Sequence, residues 1–164
     1  MEEKLDALRA AFKAYIAAGY TGIVEMAMDE NALEALQELQ RRDGEFTIRL
    51  ATYWIIAPSE TEEENLKQVH RAIELQKQFN AATSLTFRIV GIKTAEMLDP
   101  VVRTADAAGL QCALHAISDS AIKLAINILE KNSRPGRRHR IEHLELASLE
   151  DAKRLGQLGI IASI

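Results

Sequence analysis

The sequence predicts an α/β protein in which about six parallel strands alternate with helices. Segments with apolar residues at helical spacing alternate along the chain with short apolar or β-branched runs, which is the order of repeated βα units. Successive strand centres are also separated by roughly 30 residues, the length of one unit in a (β/α)8 barrel. A chain of 164 residues is too short for eight such units. The pattern therefore leaves two arrangements open, an open doubly wound sheet and an incomplete (β/α)8 barrel.

The first half of the chain contains strong helix signals. An amphipathic segment over 2–19 ends at Gly19, a residue type that commonly terminates helices. The strand TGIVEMAM follows, and the next helix begins beside Asp29 and ends at Gly44. The run FTIRLATYWII predicts a strand because it is rich in β-branched and aromatic residues, and helical periodicity over 59–79 predicts another helix.

The second half continues the alternation to the last residue. Strands are predicted for LTFRIVGIK, LQCALHAI, HRIEHLEL and IIASI, with a helix in each interval between them. Asp119 is interpreted as the N-cap of the helix that begins at Ser120. The chain ends on a strand with no helix to cover it. We therefore expect residues 1–164 to form a single α/β domain that is a fragment of a larger barrel.

Charge and composition disfavour several classes of protein. The net charge is -4, which disfavours nucleic-acid binding. The basic stretch RPGRRHR, residues 134–140, is short and flanked by acidic residues, so it is interpreted as a solvated loop. No apolar run is long enough for a signal peptide or a membrane span, and the single cysteine cannot form an internal disulfide. We expect a cytoplasmic protein without nucleic-acid or membrane partners.

Three successive strands each end with a side chain that can bind a metal ion or a proton. These are Lys93, His115 and His143. Alternation along the strands places His143 on the same face as Ile141. In parallel α/β folds active sites form at the carboxyl edge of the sheet. Because the two histidines are one βα unit apart, we expect them to be neighbours in space.

The chemistry of these groups suits a metal centre, although each has an ordinary alternative. Imidazole is the commonest ligand of zinc-like ions, and a buried lysine with a depressed pKa can take up CO2 to form a carbamate that bridges two cations. A strand-end lysine more often points to solvent, and a strand-end histidine is more often structural. His70 and His139 are interpreted as surface residues, and Cys112 as core packing rather than a nucleophile.

Two motifs around these histidines resemble those of the amidohydrolase superfamily. GLQCALHAISD is similar to the His-Ala-Ile-Gly-Asp motif of that family, and RRHRIEH is similar to its Arg-His-Arg-Ile-Glu-His motif. FRIVGIK resembles the strand that ends in the family's metal-bridging lysine. The sequence looks most like the amidohydrolase 3 branch, which includes N-substituted formamide deformylase-like metal-dependent hydrolases. The His-x-His pair of the family has no match in this sequence.

This resemblance implies an incomplete (β/α)8 TIM barrel of the metal-dependent hydrolase type. His115 and His143 are the implied metal ligands, with Lys93 as a carboxylated bridge, and the cofactor is expected to be one or two divalent ions, zinc first. Metal-activated water would hydrolyse a carbon–nitrogen bond in a small-molecule, amide-like substrate. No catalytic residue and no organic cofactor site are assigned. Since part of the family's ligand set is missing, we expect the isolated chain to be weakly active or inactive.

Two other functions stay open. The chain could be a catalytically inactive βα scaffold, and a homo-oligomer is expected because an open parallel sheet needs its ends covered. It could also be a flavodoxin-like or Rossmann-type binding domain, but no glycine-rich phosphate loop follows the first strand.

Overall fold

The computed structural model describes residues 1–95 and 97–164, and it contains the predicted alternation of helices and strands. The helices are α1 Glu2–Ala17, α2 Glu30–Asp43, α3 Glu62–Gln78, α4 Asp99–Ala107, α5 Asp119–Asn132 and α6 Leu149–Leu158. The strands are β1 Gly22–Met28, β2 Arg49–Ile56, β3 Phe87–Thr94, β4 Gln111–Ala116, β5 Arg140–His143 and β6 Ile161–Ser163.

The strands belong to one sheet whose order is β1-β2-β3-β4-β5-β6, the order of the strands in the chain. The neighbours β1 and β2, β3 and β4, β4 and β5, and β5 and β6 pair in parallel. A doubly wound sheet reverses its strand order at a switch point, whereas successive strands of a barrel are neighbours. The observed order therefore decides between the two arrangements that the sequence left open. The fold is an incomplete (β/α)8 TIM barrel.

The chain divides into two compact units. The first comprises residues 1–54 and 75–90, and the second comprises residues 55–74 and 91–164. In the first unit a chain of aromatic rings forms part of the core, with ring centroids 5.4 Å apart for Phe12 and Phe46 and 6.0 Å apart for Phe46 and Phe87. Such aromatic pairs contribute beyond their area burial. The prediction of a single domain stays a prediction.

The second unit packs α4, α5 and α6 with β4, β5 and β6. One face of β4 and β5 is fully buried through Leu114 and Ile141, and α5 contributes Ile122 and Ile126 to the same core. Burial of each such side chain is worth about 1.5–3 kcal/mol. This core fixes the strands whose carboxyl ends carry the candidate site.

Two of the differences between predicted and observed element ends lie beside the candidate site. The N-cap of α5 is Ser118, whose hydroxyl accepts a hydrogen bond from the Ala121 N–H, so the interpretation of Asp119 as the cap is wrong by one residue. Strand β5 ends at His143, earlier than predicted, because His143 and Leu144 have left-handed φ angles of 80° and 54°.

Within the described residues no helix is both long and apolar enough to cross a membrane.

Candidate metal centre

The carboxyl ends of β3, β4 and β5 bring together the three side chains singled out in the sequence. Lys93 on β3 lies beside Ala113 on β4. His115 follows at the next position on the same face of β4. The imidazole rings of His115 and His143 are in contact, with centroids 4.4 Å apart and planes inclined at 64°. The predicted proximity of the two histidines is confirmed, whereas their role as ligands stays a prediction.

The register of β4 and β5 assigns the faces of β5 differently from the sequence prediction. His115 lies beside Glu142, and Leu114 lies beside Ile141. Residues in register point to the same side of a sheet, so Glu142 shares the face of His115, and alternation places Arg140 there as well. Ile141 instead points with Leu114 into the helix layer, where both are fully buried.

His143 reaches the site by its backbone conformation and not by strand alternation. Regular alternation would place its side chain with Ile141, on the helix side of β5. Its φ of 80° breaks the strand geometry, and its ring lies against His115. The prediction that His143 and Ile141 share a face of a continuing strand is therefore wrong, because β5 stops at His143.

Glu142 and Arg140 are charged residues of the site that the sequence analysis did not assign to it. Glu142 is 8% exposed, and its Oε1 accepts a hydrogen bond of 2.6 Å from Arg140 Nε. Arg140 Nη2 also donates to Ser163 Oγ on β6, at 2.7 Å. The guanidinium thus ties β5 to β6 and pairs a carboxylate that would otherwise be buried without a partner.

Burial and neighbouring charge favour the neutral forms of the two basic groups. The pKa of His115 is lowered by burial first, then by the positive charges of His143 and Lys93. The pKa of Lys93 is lowered by burial and by Arg140, while Glu142 partly opposes the shift. Near neutral pH His115 therefore offers a free lone pair, and the Lys93 amine loses its proton more easily than an exposed lysine does.

The residues present fit part of a metal site. Two nitrogens bound to one zinc-like ion, each about 2.0–2.1 Å from it, lie at most about 4 Å apart, which suits two rings in contact. A catalytic zinc site commonly has three protein ligands and an open position. Among residues 1–95 and 97–164 no group of three or more His, Cys, Asp or Glu side chains is placed to hold an ion. The described residues thus supply two imidazoles and an adjacent lysine, which is an incomplete set.

A second polar cluster lies before β5 and contains His139. The side chain of His139 is buried, so its interpretation as a surface residue is wrong. Its Nδ1 accepts a hydrogen bond of 2.9 Å from the Cys112 N–H, and its Nε2 lies 3.1 Å from Asp106 Oδ1. Nε2 therefore carries the proton that is donated to Asp106. Cys112 is buried as predicted, and burial raises the pKa of its thiol.

Asp106 is the centre of this cluster. Burial opposes its ionisation, but hydrogen bonds from Arg134 and His139 outweigh burial and lower its pKa. Arg134 Nε donates to Asp106 Oδ2 at 2.7 Å, and Arg137 Nε lies 3.4 Å from Asp106 Oδ1. The stretch 134–140 is therefore not simply a solvated loop, because two of its arginines pair with a buried carboxylate.

Two solved structures share the incomplete α/β barrel fold of this chain. They are described as uncharacterized metal-dependent hydrolases from Pyrococcus horikoshii OT3 and Pyrococcus furiosus, with TM-scores of 0.75 and 0.68. Both are 20% identical to this chain. The matches cover 99% and 93% of this chain but 37% and 36% of the archaeal chains.

The model of the amidohydrolase family matches residues 1–164, and the chain belongs to this family. The predicted superfamily is thereby confirmed. Over 73 residues the chain is also 40% identical to the protein LONG AFTER FAR-RED 3 of Arabidopsis thaliana. That match covers 42% of this chain and 12% of the plant protein, so the chain spans a small part of this relative.

Proposed function

We propose that this chain supplies part of the metal centre of a hydrolase that cleaves a carbon–nitrogen bond in a small, non-peptide amide. The observation that carries the proposal is the contact between the His115 and His143 rings at the carboxyl edge of the sheet, beside Lys93. Membership of the amidohydrolase family supports it, as does the description of two structural neighbours as metal-dependent hydrolases. Within the family we place the chain in the N-substituted formamide deformylase-like group.

In this proposal the two histidines are ligands of a divalent ion, and zinc is the first candidate because imidazole suits it. When bound, such an ion supplies an activated water near neutral pH and polarises a carbonyl group. In its deprotonated form the Lys93 amine adds to the carbon of CO2: an N–C bond forms, one C–O π bond breaks, and the nitrogen gives a proton to water. The resulting carbamate gives the site a carboxylate-like oxygen ligand.

Glu142 and Arg140 act as positioning residues. Glu142 places a negative charge beside Lys93, and Arg140 holds that carboxylate while it bonds Ser163 on β6. Truncation of Arg140 would leave Glu142 buried and unpaired, free to turn toward any cation at the site. The ion pair therefore keeps Glu142 beside the ligands without making it one of them.

We further propose that the 164-residue chain by itself has weak or no turnover. Its described residues provide two imidazoles, where three protein ligands are usual for catalytic zinc. A chain with this set binds the ion loosely. Its cytoplasmic location and its self-association stay predictions.

Zinc affinity tests the proposal. Zinc chloride is titrated into the wild-type chain and into the variants His115→Ala, His143→Ala and His70→Ala, and the dissociation constant of each is measured by isothermal titration calorimetry. His70 is exposed on α3 and serves as the matched control. Since removal of an outer-shell partner alone costs about 10–100-fold in metal affinity, each site variant is expected to lose at least about tenfold, and His70→Ala nothing. Equal zinc affinity in all four proteins would refute the metal centre.

Formate release from N-substituted formamides measures the reaction itself. The proposal predicts slow, zinc-dependent release that disappears in the His115→Ala variant. Rapid turnover by the isolated chain would contradict the proposed weak activity. Turnover that survives removal of zinc would contradict the metal-dependent mechanism.

A further inference from the structure

A cleft that the proposed metal centre does not use lies at the opposite ends of the strands. Its volume is about 300 Å³. One wall is the loop 133–138, which precedes β5, and the other is the segment 157–160, which comprises the end of α6 and the turn that leads to β6. Arg134, Arg137 and Arg138 all line it.

The arginines on this wall outnumber the carboxylates that pair with them. Arg134 and Arg137 share one carboxylate, that of Asp106. Among the residues that the structure describes, the Arg138 guanidinium makes neither a hydrogen bond nor an ion pair. His139 adds no positive charge near neutral pH, since its Nδ1 accepts a hydrogen bond. The wall thus carries three guanidinium groups, and the one carboxylate that pairs with two of them leaves about two formal positive charges for a ligand to balance.

The acidic residue of the cleft does not cancel this excess. Glu130 also lines the cleft, but its carboxylate accepts a hydrogen bond of 2.7 Å from Arg154. Its charge is therefore already paired with a cation that lies outside the loop 133–138.

An unpaired hydroxyl on the same wall points to a missing partner. Ser133 Oγ is buried and has no hydrogen-bond partner among residues 1–95 and 97–164. Ser133 lines the cleft beside the arginines. Because nearly all buried polar groups in folded proteins are hydrogen-bonded, this hydroxyl gains a partner if it rotates toward the cleft and meets a ligand oxygen there.

We propose that this cleft binds the phosphate group of a small phosphorylated molecule. Guanidinium forks match the geometry of phosphate oxygens, and a phosphate dianion balances the two excess positive charges. The Ser133 hydroxyl donates to a phosphate oxygen after rotation about its Cα–Cβ bond. The volume is at the lower end of small-molecule sites, which favours a compact ligand over a polymer.

Isothermal titration with inorganic phosphate and with pyrophosphate, at constant chloride, tests this site. The variants are Arg138→Gln, Ser133→Ala and the control Arg103→Gln, which replaces an exposed arginine on α4. The wild-type chain is expected to bind at one saturable site. Hydrogen bonds to charged groups are strong enough that Arg138→Gln should weaken binding about tenfold or more, with Arg103→Gln unchanged.

The Ser133→Ala variant separates ligand binding from a structural role. Removing an unpaired buried hydroxyl should raise the thermal midpoint without ligand, yet phosphate should stabilise the variant less than it stabilises the wild type. An absence of saturable phosphate binding would overturn the proposal, as would equal weakening by Arg103→Gln. Tighter binding of a single-stranded oligonucleotide than of pyrophosphate would also overturn it. The His115→Ala variant should bind phosphate normally, so the outcome does not depend on the metal centre.

Discussion

Replacement of His139 by leucine is expected to destabilise the second unit, because His139 satisfies two buried groups at once. Its Nδ1 accepts the hydrogen bond of the buried Cys112 amide, and its Nε2 donates to the buried Asp106 carboxylate. Leucine has a similar size but offers neither an acceptor nor a donor. The substitution thus removes the hydrogen bonds while it largely keeps the packing.

The expected cost follows from these two bonds. A buried amide left without an acceptor costs about 1–3 kcal/mol. Asp106 loses a hydrogen bond to a charged group, worth about 1.5–3 kcal/mol, but it keeps Arg134 and so pays less than the full amount. After the gain from burying an apolar side chain, we expect a loss of about 2–4 kcal/mol in the free energy of unfolding.

Urea unfolding at pH 7.5, followed by circular dichroism, measures this loss. His70→Leu is the matched control, since His70 is exposed and surface substitutions usually change stability by at most about 0.5 kcal/mol. The slope of the unfolding free energy against urea should be the same in all three proteins. If His139→Leu lies within about 0.5 kcal/mol of the wild type, His139 does not hold this cluster together and the reasoning fails.

Three further predictions concern pH, the Arg140 ion pair and self-association. Burial lowers the folded pKa of His139 below 6.5, so its contribution to stability is present above pH 6.5 and is lost as the pH falls. Between pH 7.5 and pH 5 the free energy of unfolding should therefore fall less in His139→Leu than in the wild type. An equal fall in the two proteins would contradict this prediction. Arg140→Gln leaves the Glu142 carboxylate with a weaker partner and should lower the free energy of unfolding in urea by about 1–3 kcal/mol. Arg140→Lys should give a value between those of Arg140→Gln and the wild type. An unchanged free energy of unfolding would show that the pair is not stabilising. Val24 is 53% exposed on the edge strand β1, where copies of this chain are expected to pair. The sedimentation coefficient of the wild type should then rise with protein concentration, and that of Val24→Lys should stay nearer the value of the monomer. A wild-type chain that is monomeric at every concentration would refute self-association.

The alternation of helices and strands was predictable because it depends on local patterns. Helix stripes, glycine ends and β-branched runs each reflect nearby residues, and every predicted strand is present. The order of the strands in the sheet was not predictable from these patterns, because it depends on pairing between distant segments. The observed sequential order is what distinguishes the incomplete barrel from a doubly wound sheet.

The site was predictable in outline but not in detail. Strand ends of a parallel sheet meet at one edge, which is why Lys93 and His115 could be placed together. The sequence around His143 contains no glycine to signal a left-handed backbone, so the end of β5 and the inward face of Glu142 could not be located. The burial of His139 was missed because it depends on Asp106, which is distant in sequence, while the neighbouring arginines suggested a surface loop.

X-ray absorption at the zinc edge tests the central claim most directly, since it reports the atoms bound to the ion. The wild-type chain loaded with one equivalent of zinc should show nitrogen ligands at about 2.0–2.1 Å with the outer-shell scattering of two imidazoles. The double variant His115→Ala/His143→Ala should lose that scattering. A spectrum with only oxygen ligands, or one that the double variant leaves unchanged, would contradict the account.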